Sequence, residues 1–417
     1  MGTQLRIIWI IVVLLLMLLF NVEANAADWP RWRGPNGDGI STETDWDPAA
    51  LAKGPKILWK ASLGTSGANV AIKGKYLYTT GGDPRNDTIF CLNAENGKIK
   101  WKYSYECKNK SYGAPATPTI DGERVYTLSA EGHVHCLDAR NGKVQWLTHI
   151  VEELNTVRPL YGFAASPVVE GNLLILNVNS YGIALNKDTG KMVWQSPPVD
   201  LKGDSMDNGS EYATPVMYTQ NRKRHSVVFG GYGPHSVDVV TGKLNWLYKW
   251  NPIDVNIADP IVFDSKVFIS QCYGGCVLLD ISSGIPKVLW QNNNMESEIV
   301  TGVFIDKFIY GCHGLVSLGQ GVLRCIDATN GKVIWEKDLG RPMSISAAGT
   351  MLLLLTDRGK LHIAEISPDS YKEIVSAQVF ELKGTMPAPC WTAPVLCGGK
   401  IYCRNTKGDI VCIDVSK

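Results

Sequence analysis

Residues Ala116–Trp146, ATPTIDGERVYTLSAEGHVHCLDARNGKVQW, hold four short runs of β-forming residues separated by DGE, AEG and ARNG. Each break carries the Gly or Asp that a tight turn uses. The stretch therefore predicts four strands joined by hairpins, which is one antiparallel blade. In the last hairpin, the Asp138 carboxylate is placed to bond the turn backbone and Gly142 to supply a positive φ, with Lys143 opening the fourth strand on its polar face.

The end of that stretch, CLDARNGKVQW (Cys136–Trp146), comes back as CLNAENGKIKW (Cys91–Trp101), ALNKDTGKMVW (Ala184–Trp194), SVDVVTGKLNW (Ser236–Trp246) and CIDATNGKVIW (Cys325–Trp335). LLDISSGIPKVLW (Leu278–Trp290) has two extra residues in its turn, and IAEISPDSYKEIV (Ile363–Val375) ends on Val where the others end on Trp. The chain stops on CIDVSK, the front half of the phrase, and the back half stands near the start as PKILWK, Pro55–Lys60. Eight units result, with Trp59, Trp101, Trp146, Trp194, Trp246, Trp290 and Trp335 at separations of 42 to 52 residues. This period without helical patterning predicts an all-β fold, an eight-bladed β-propeller of four-stranded antiparallel blades over residues 55–417. Residues of about 391–415 and 56–63 would share the last blade, closing the ring and protecting its edge.

The repeated phrase resembles the pyrroloquinoline-quinone-like (PQQ-like) repeat, which quinoprotein alcohol dehydrogenases share with the propeller lipoprotein of the outer-membrane barrel-assembly machine. The resemblance covers residues 55–417 and implies that the seven Trp residues dock each blade on its neighbour. The segment ADWPRWRGPNGDGIS, Ala27–Ser41, is similar to the N-terminal part of a subgroup of exported bacterial propellers. It reads as the start of an extension, residues 27–54, strapped onto the propeller by Trp29 and Trp32, with Arg31 and Arg33 solvated or stacked; partner binding is the sharper alternative.

Residues 1–26 stand apart from this pattern. Arg6 precedes a 14-residue apolar run, Ile7–Phe20, and Ala24 and Ala26 follow in A-x-A spacing. The run is short for a bilayer span, so it reads as a cleavable signal peptide, with a retained anchor as the other reading. The expected location is periplasmic or extracellular, with no stable membrane span after cleavage. The mature chain carries 40 basic and 39 acidic residues, with no run of five like charges, which argues against a nucleic-acid partner.

Of the 11 cysteines, Cys91, Cys136, Cys325 and Cys412 occupy one slot of the repeat that other copies fill with Ala or Leu, so they read as small buried apolar groups. Cys272 with Cys276, and Cys397 with Cys403, are candidate hairpin disulfides in an oxidising compartment. His133 and His135 share one face of a strand, but no third ligand is apparent, and no metal site is assigned. His313 lies in an expected hairpin loop and is the histidine to test first.

First strands begin TPTI, SPVV, TPVM, DPIV and APVL, at Thr117, Ser166, Thr214, Asp259 and Ala393. Inner strands converge on the ring axis, so Asp259 is solvated in a wet channel or serves as a cation ligand or general base. Tyr112, Arg158, Tyr161, Glu211, Tyr212, Asn256, Glu298, Arg341 and Trp391 fall in loops entering the first strands, on one face of the ring. They form a candidate pocket, or are interblade packing and rim charges.

Two functions follow. In the preferred one, the chain is a non-catalytic binding or scaffold protein, expected as a monomer, with a protein, peptide or carbohydrate ligand on its loop face and no assigned cofactor. In the alternative, which the resemblance implies, it is a PQQ- and calcium-dependent alcohol or sugar dehydrogenase. Asp259 and Glu211 are then the catalytic carboxylates, and Arg341, Arg158, Tyr161 and Trp391 hold the cofactor. The adjacent Cys-Cys pair common in such dehydrogenases is absent from the sequence, and the blades are close to minimal in length.

Overall fold

The structure is a computed structural model that describes residues 28–108, 113–197, 212–250, 256–381 and 389–417. The expected signal segment, Tyr112 and Glu211 lie outside the described residues. Eight sheets make an all-β, eight-bladed propeller. In chain order, blades 1 to 7 span residues 71–106, 119–149, 168–195, 216–247, 261–292, 303–337 and 343–378. Blade 8 takes its first three strands from Val395–Cys397, Lys400–Arg404 and Asp409–Asp414, and its fourth from Ile57–Ser62.

Apolar burial is divided among eight clusters, each bridging two successive blades. A four-stranded blade is apolar on both faces, so neither face is satisfied until its neighbours are in place. The core is thus a ring of seams, the smallest lying between blades 3 and 4 around Trp194 and Val237.

The repeated phrase builds the seams. Its Cys slot lies across a bulge from its own Trp, pairing Cys91 with Trp101, Cys136 with Trp146, Cys325 with Trp335 and Cys412 with Trp59. The indole N–H then donates to a carbonyl of the following blade: Trp59 to Ala94 (2.9 Å), Trp101 to Ala139 (2.9 Å), Trp146 to Lys187 (3.0 Å), Trp194 to Val239 (2.8 Å), Trp290 to Ala328 (2.9 Å) and Trp335 to Ser367 (3.0 Å). For Trp59, Trp101, Trp146, Trp194 and Trp290 the turn glycine of the following blade lies flat on the indole. A Cβ on Gly142 would sit 2.5 Å from Trp101, so a glycine with φ of +74° is required there for close approach as well as for the turn. Trp246 differs. The following turn is the lengthened one, its Gly284 touches no indole, and Gln220 Nε2 takes the Ile281 carbonyl at 2.6 Å. At the seam between blades 7 and 8, where Val375 replaces Trp, Trp46 and Leu51 of the extension enter the cluster.

All 11 cysteines are buried and none is joined to another by a disulfide, so neither expected disulfide is present. Cys397 points into the seam with blade 1 and Cys403 into the seam with blade 7, on opposite faces of one sheet. Cys276 lies opposite Ser270 in its hairpin rather than opposite Cys272.

Candidate functional site

The extension crosses the ring axis on the face opposite the loops that enter the first strands. Trp29 exchanges backbone bonds with Ile72 of blade 1 (2.9 and 2.7 Å), and the Pro30 carbonyl accepts from Ile120 of blade 2 (2.8 Å). Past the axis, Ile40–Ser41 pairs in parallel with Met343–Ala348 as a fifth strand of blade 7. Glu43 accepts from the Gly398 and Gly399 amides of blade 8. Between these anchors lie Trp32 and Arg33. Arg33, expected to be solvated or stacked, is instead buried. Its guanidinium donates to the carbonyls of Thr301 (3.1 Å), Gly302 (2.7 Å), Asp38 (2.7 Å) and Gly37 (3.3 Å), because a buried guanidinium needs an acceptor for each donor.

At the axis, a belt of hydrogen bonds links successive blades. The Asn69 N–H donates to Thr117 Oγ1 (2.8 Å), Thr117 N–H to Ser166 Oγ (3.0 Å), Ser166 N–H to Thr214 Oγ1 (3.1 Å), Thr214 N–H to Asp259 Oδ1 (2.6 Å) and Asp259 N–H to Thr301 Oγ1 (2.8 Å). Each first strand is an inner edge, and a hydroxyl from the next blade satisfies a buried amide that no strand reaches. At Thr117, Ser166 and Thr214 the small residue before Pro is thus there for its oxygen as well as its size. Asp259 takes the same position with a second acceptor, Oδ2, which receives the Trp32 Nε1–H at 2.6 Å; Arg33 Nε lies 3.9 Å away. Burial pushes the Asp259 pKa upward, and the Arg33 charge and the Trp32 bond hold it down. Asp259 is only 6% exposed, so it is not a carboxylate solvated in a wet channel.

Above this belt the ring opens into a funnel of about 390 Å³. Trp32 and Asp259 lie at its base, and Tyr161, Tyr212, Glu298 and Trp391 line its wall. The loop residues singled out in the sequence therefore divide. Tyr161, Tyr212, Glu298, Trp391 and Asp259 share the funnel. Arg158 turns aside to the Ala130 carbonyl (3.2 Å), Arg341 forms a two-pronged ion pair with Asp357, and Asn256 is buried between the Gly230 carbonyl and Gln271. The expected mixture of Arg, Glu, Tyr and Trp is corrected to an aromatic and acidic lining with no Arg or Lys among the described residues. Glu298 is held by the Ser317 amide (2.7 Å) and hydroxyl. His313 stands outside the lining and accepts from the Glu296 amide at 3.0 Å. Sequence reasoning missed Trp32 as part of the site, because its register in a non-repeating strap carries no signal. The place of Asn69 and Thr301 in the belt was readable only by extending the first-strand register to blades 1 and 6.

Pyrroloquinoline quinone is a tricarboxylate, and its calcium partner wants open oxygen ligands. The funnel offers two carboxylates, both engaged, and no cation among its described residues, so it does not fit the pair. Arg341, the expected cofactor cation, is paired elsewhere with Asp357.

A family profile described as outer membrane protein assembly factor BamB matches residues 49–247, 108–313 and 164–371 in overlapping registers. Among curated proteins, the chain is 22% identical to a tetrathionate hydrolase of Acidithiobacillus ferrooxidans, over 59% of this chain and 51% of that protein. It is 24% identical to the outer membrane protein assembly factor BamB of Burkholderia pseudomallei, over 57% and 59%. The match thus spans little more than half the length of either relative. Among solved structures, BamB from Moraxella catarrhalis superposes with a TM-score of 0.62 at 16% identity, covering 86% of this chain and 97% of that one. A quinohemoprotein alcohol dehydrogenase from Comamonas testosteroni gives 0.65 at 14%, covering 93% and 80%. At such identities these two likenesses concern the fold.

Proposed function

Because the chain belongs to the PQQ-like repeat family described as outer membrane protein assembly factor BamB, we propose that it is an exported, non-catalytic scaffold whose funnel face holds a segment of a protein partner. One observation carries this reading: exposed apolar side chains are grouped in the loops around the funnel. Val157 (41%), Leu160 (57%) and Tyr161 (48%) stand exposed on one side and Leu318 (64%) on the other, above walls of Tyr212 and Trp391. Grouped exposed apolar residues around a concave aromatic site are what a protein segment buries on binding. The acidic lining favours a segment that brings a basic side chain, which Trp32, Tyr161 and Trp391 are able to face through their rings. Export through residues 1–26 places the protein in the periplasm or outside the cell.

The test places a photo-crosslinking residue at Tyr161 or Leu318 and, as a control, at Ile334 on the outer rim. Cross-links to an envelope protein from the first two positions alone, reduced by Glu298→Lys, support the reading. Equal cross-linking from the rim overturns it. So does stoichiometric binding of pyrroloquinoline quinone with calcium and dye-linked alcohol oxidation by the purified chain, which would restore the dehydrogenase alternative.

A further inference from the structure

His133 found no third ligand in its own stretch of sequence, but the neighbouring blade supplies one. Cys107 follows the fourth strand of blade 1, Ile99–Glu106, and Glu131 and His133 lie at the hairpin joining the second and third strands of blade 2. The Cys107 sulfur, a Glu131 carboxylate oxygen and a His133 ring nitrogen lie within 4.8 Å of one another. Asp87, the second residue of the third strand of blade 1, is fully buried and faces the Cys107 thiol and the Tyr105 hydroxyl.

We propose that Cys107, Glu131 and His133 form a three-ligand binding site for one divalent ion of the zinc class between blades 1 and 2, with the fourth position open. Sulfur, nitrogen and oxygen donors from three side chains suit a tetrahedral zinc ion, and a hard ion such as calcium or magnesium does not select thiolate. The surroundings orient the ligands as metal sites require. Ser129 Oγ lies 3.0 Å from His133 Nδ1, and the Lys108 amide donates to one Glu131 oxygen at 3.1 Å, leaving the other for the ion. Binding displaces the Cys107 thiol proton into solvent. The ion ties the end of one blade to a hairpin of the next, at a seam whose apolar cluster includes Cys91, Trp101 and Leu137. His135, two residues on, is buried deeper and takes no part.

The experiment uses the purified full chain, stripped with chelator and titrated with cobalt(II), then with zinc. One equivalent of cobalt should bind with a thiolate-to-metal absorption band and tetrahedral visible bands, and one equivalent of zinc should displace it and raise the melting temperature. Cys107→Ser should abolish the thiolate band, and His133→Gln and Glu131→Gln should each weaken zinc binding about tenfold or more. Cys136→Ala, at a buried cysteine outside the cluster, should keep the band. Glu131 and His133 are only half-buried, so those variants remain informative if Cys107→Ser does not fold. A thiolate band that survives Cys107→Ser, no band in the parent chain, or zinc affinity unchanged in the His133 and Glu131 variants overturns the proposal.

Discussion

Asp259 stands where neighbouring blades carry Thr or Ser, and three groups depend on it: the Thr214 amide, the Trp32 indole and the Arg33 charge. A threonine would serve the first but leave Trp32 without an acceptor and Arg33 without a counter-charge. Asp259→Ala should therefore lower unfolding stability by about 3 kcal/mol or more, the cost of breaking a buried charged contact, and Asp259→Asn, which keeps the shape but offers one acceptor to two N–H donors and no counter-charge to Arg33, should cost a comparable amount. Urea unfolding of the two variants checks this, and a small loss in Asp259→Asn would mean that the carboxylate charge is not the anchor. His235 gives a pH dependence at the same scale. It is 1% exposed, and burial lowers its pKa to about 4 from an ordinary 6.5. The unfolded chain takes up a proton below pH 6.5 that the folded ring refuses. The stability His235 contributes is thus complete above pH 6.5 and is lost as pH falls toward 4, by roughly 3 kcal/mol in full. In His235→Asn the fall in stability between pH 7 and pH 4.5 should be smaller than in the parent chain; an identical fall would refute the assignment.

At the scale of the element, each blade is a hairpin set whose fourth strand carries the residue that binds it to the next blade. Trp194 and Trp246 test this directly, since they share a repeat position but not a partner. Trp194→Phe leaves the Val239 carbonyl of the smallest seam unpaired and should cost about 1–2 kcal/mol. Trp246→Phe should cost less, because Gln220 already holds the corresponding carbonyl of Ile281. Chemical denaturation of both variants gives the comparison, and a larger loss at Trp246 would refute it. The sequence revealed this level well, because the repeat averages over eight copies: strand, turn and Trp recur in register, and the split eighth unit gave the closure. It revealed the site poorly. Whether Arg158 and Arg341 turn into the funnel or away from it depends on single acceptors, the Ala130 carbonyl and the Asp357 carboxylate, that no periodicity announces. The third ligand beside His133 was hidden for the same reason, since contacts across a seam join residues that belong to different copies.

Over the whole molecule, the first 35 described residues do two separable jobs. Residues 28–41 cross the axis and bear on blades 1, 2, 5, 6, 7 and 8, placing Trp32 beneath the funnel and Arg33 among the carbonyls of blade 6. Residues 57–62 are the fourth strand of blade 8, pairing with Asp409–Asp414 and carrying Trp59 into the seam with blade 1. Without that strand the ring keeps an unpaired edge and loses the Trp that docks blade 8 on blade 1, and a propeller open at one seam exposes two apolar faces at once. A chain lacking residues 28–41 but keeping Trp46, Leu51 and the closing strand should still unfold in one cooperative transition, at a lower temperature, with the funnel base opened. A chain lacking 28–62 should not form the cooperative fold, and a peptide of residues 28–62 added in trans should restore it by supplying the missing strand. Calorimetry of the two truncations, with and without the peptide, decides the matter. A cooperative transition at an unchanged temperature in the longer deletion would mean that the ring does not depend on sharing its last blade between the two parts of the chain.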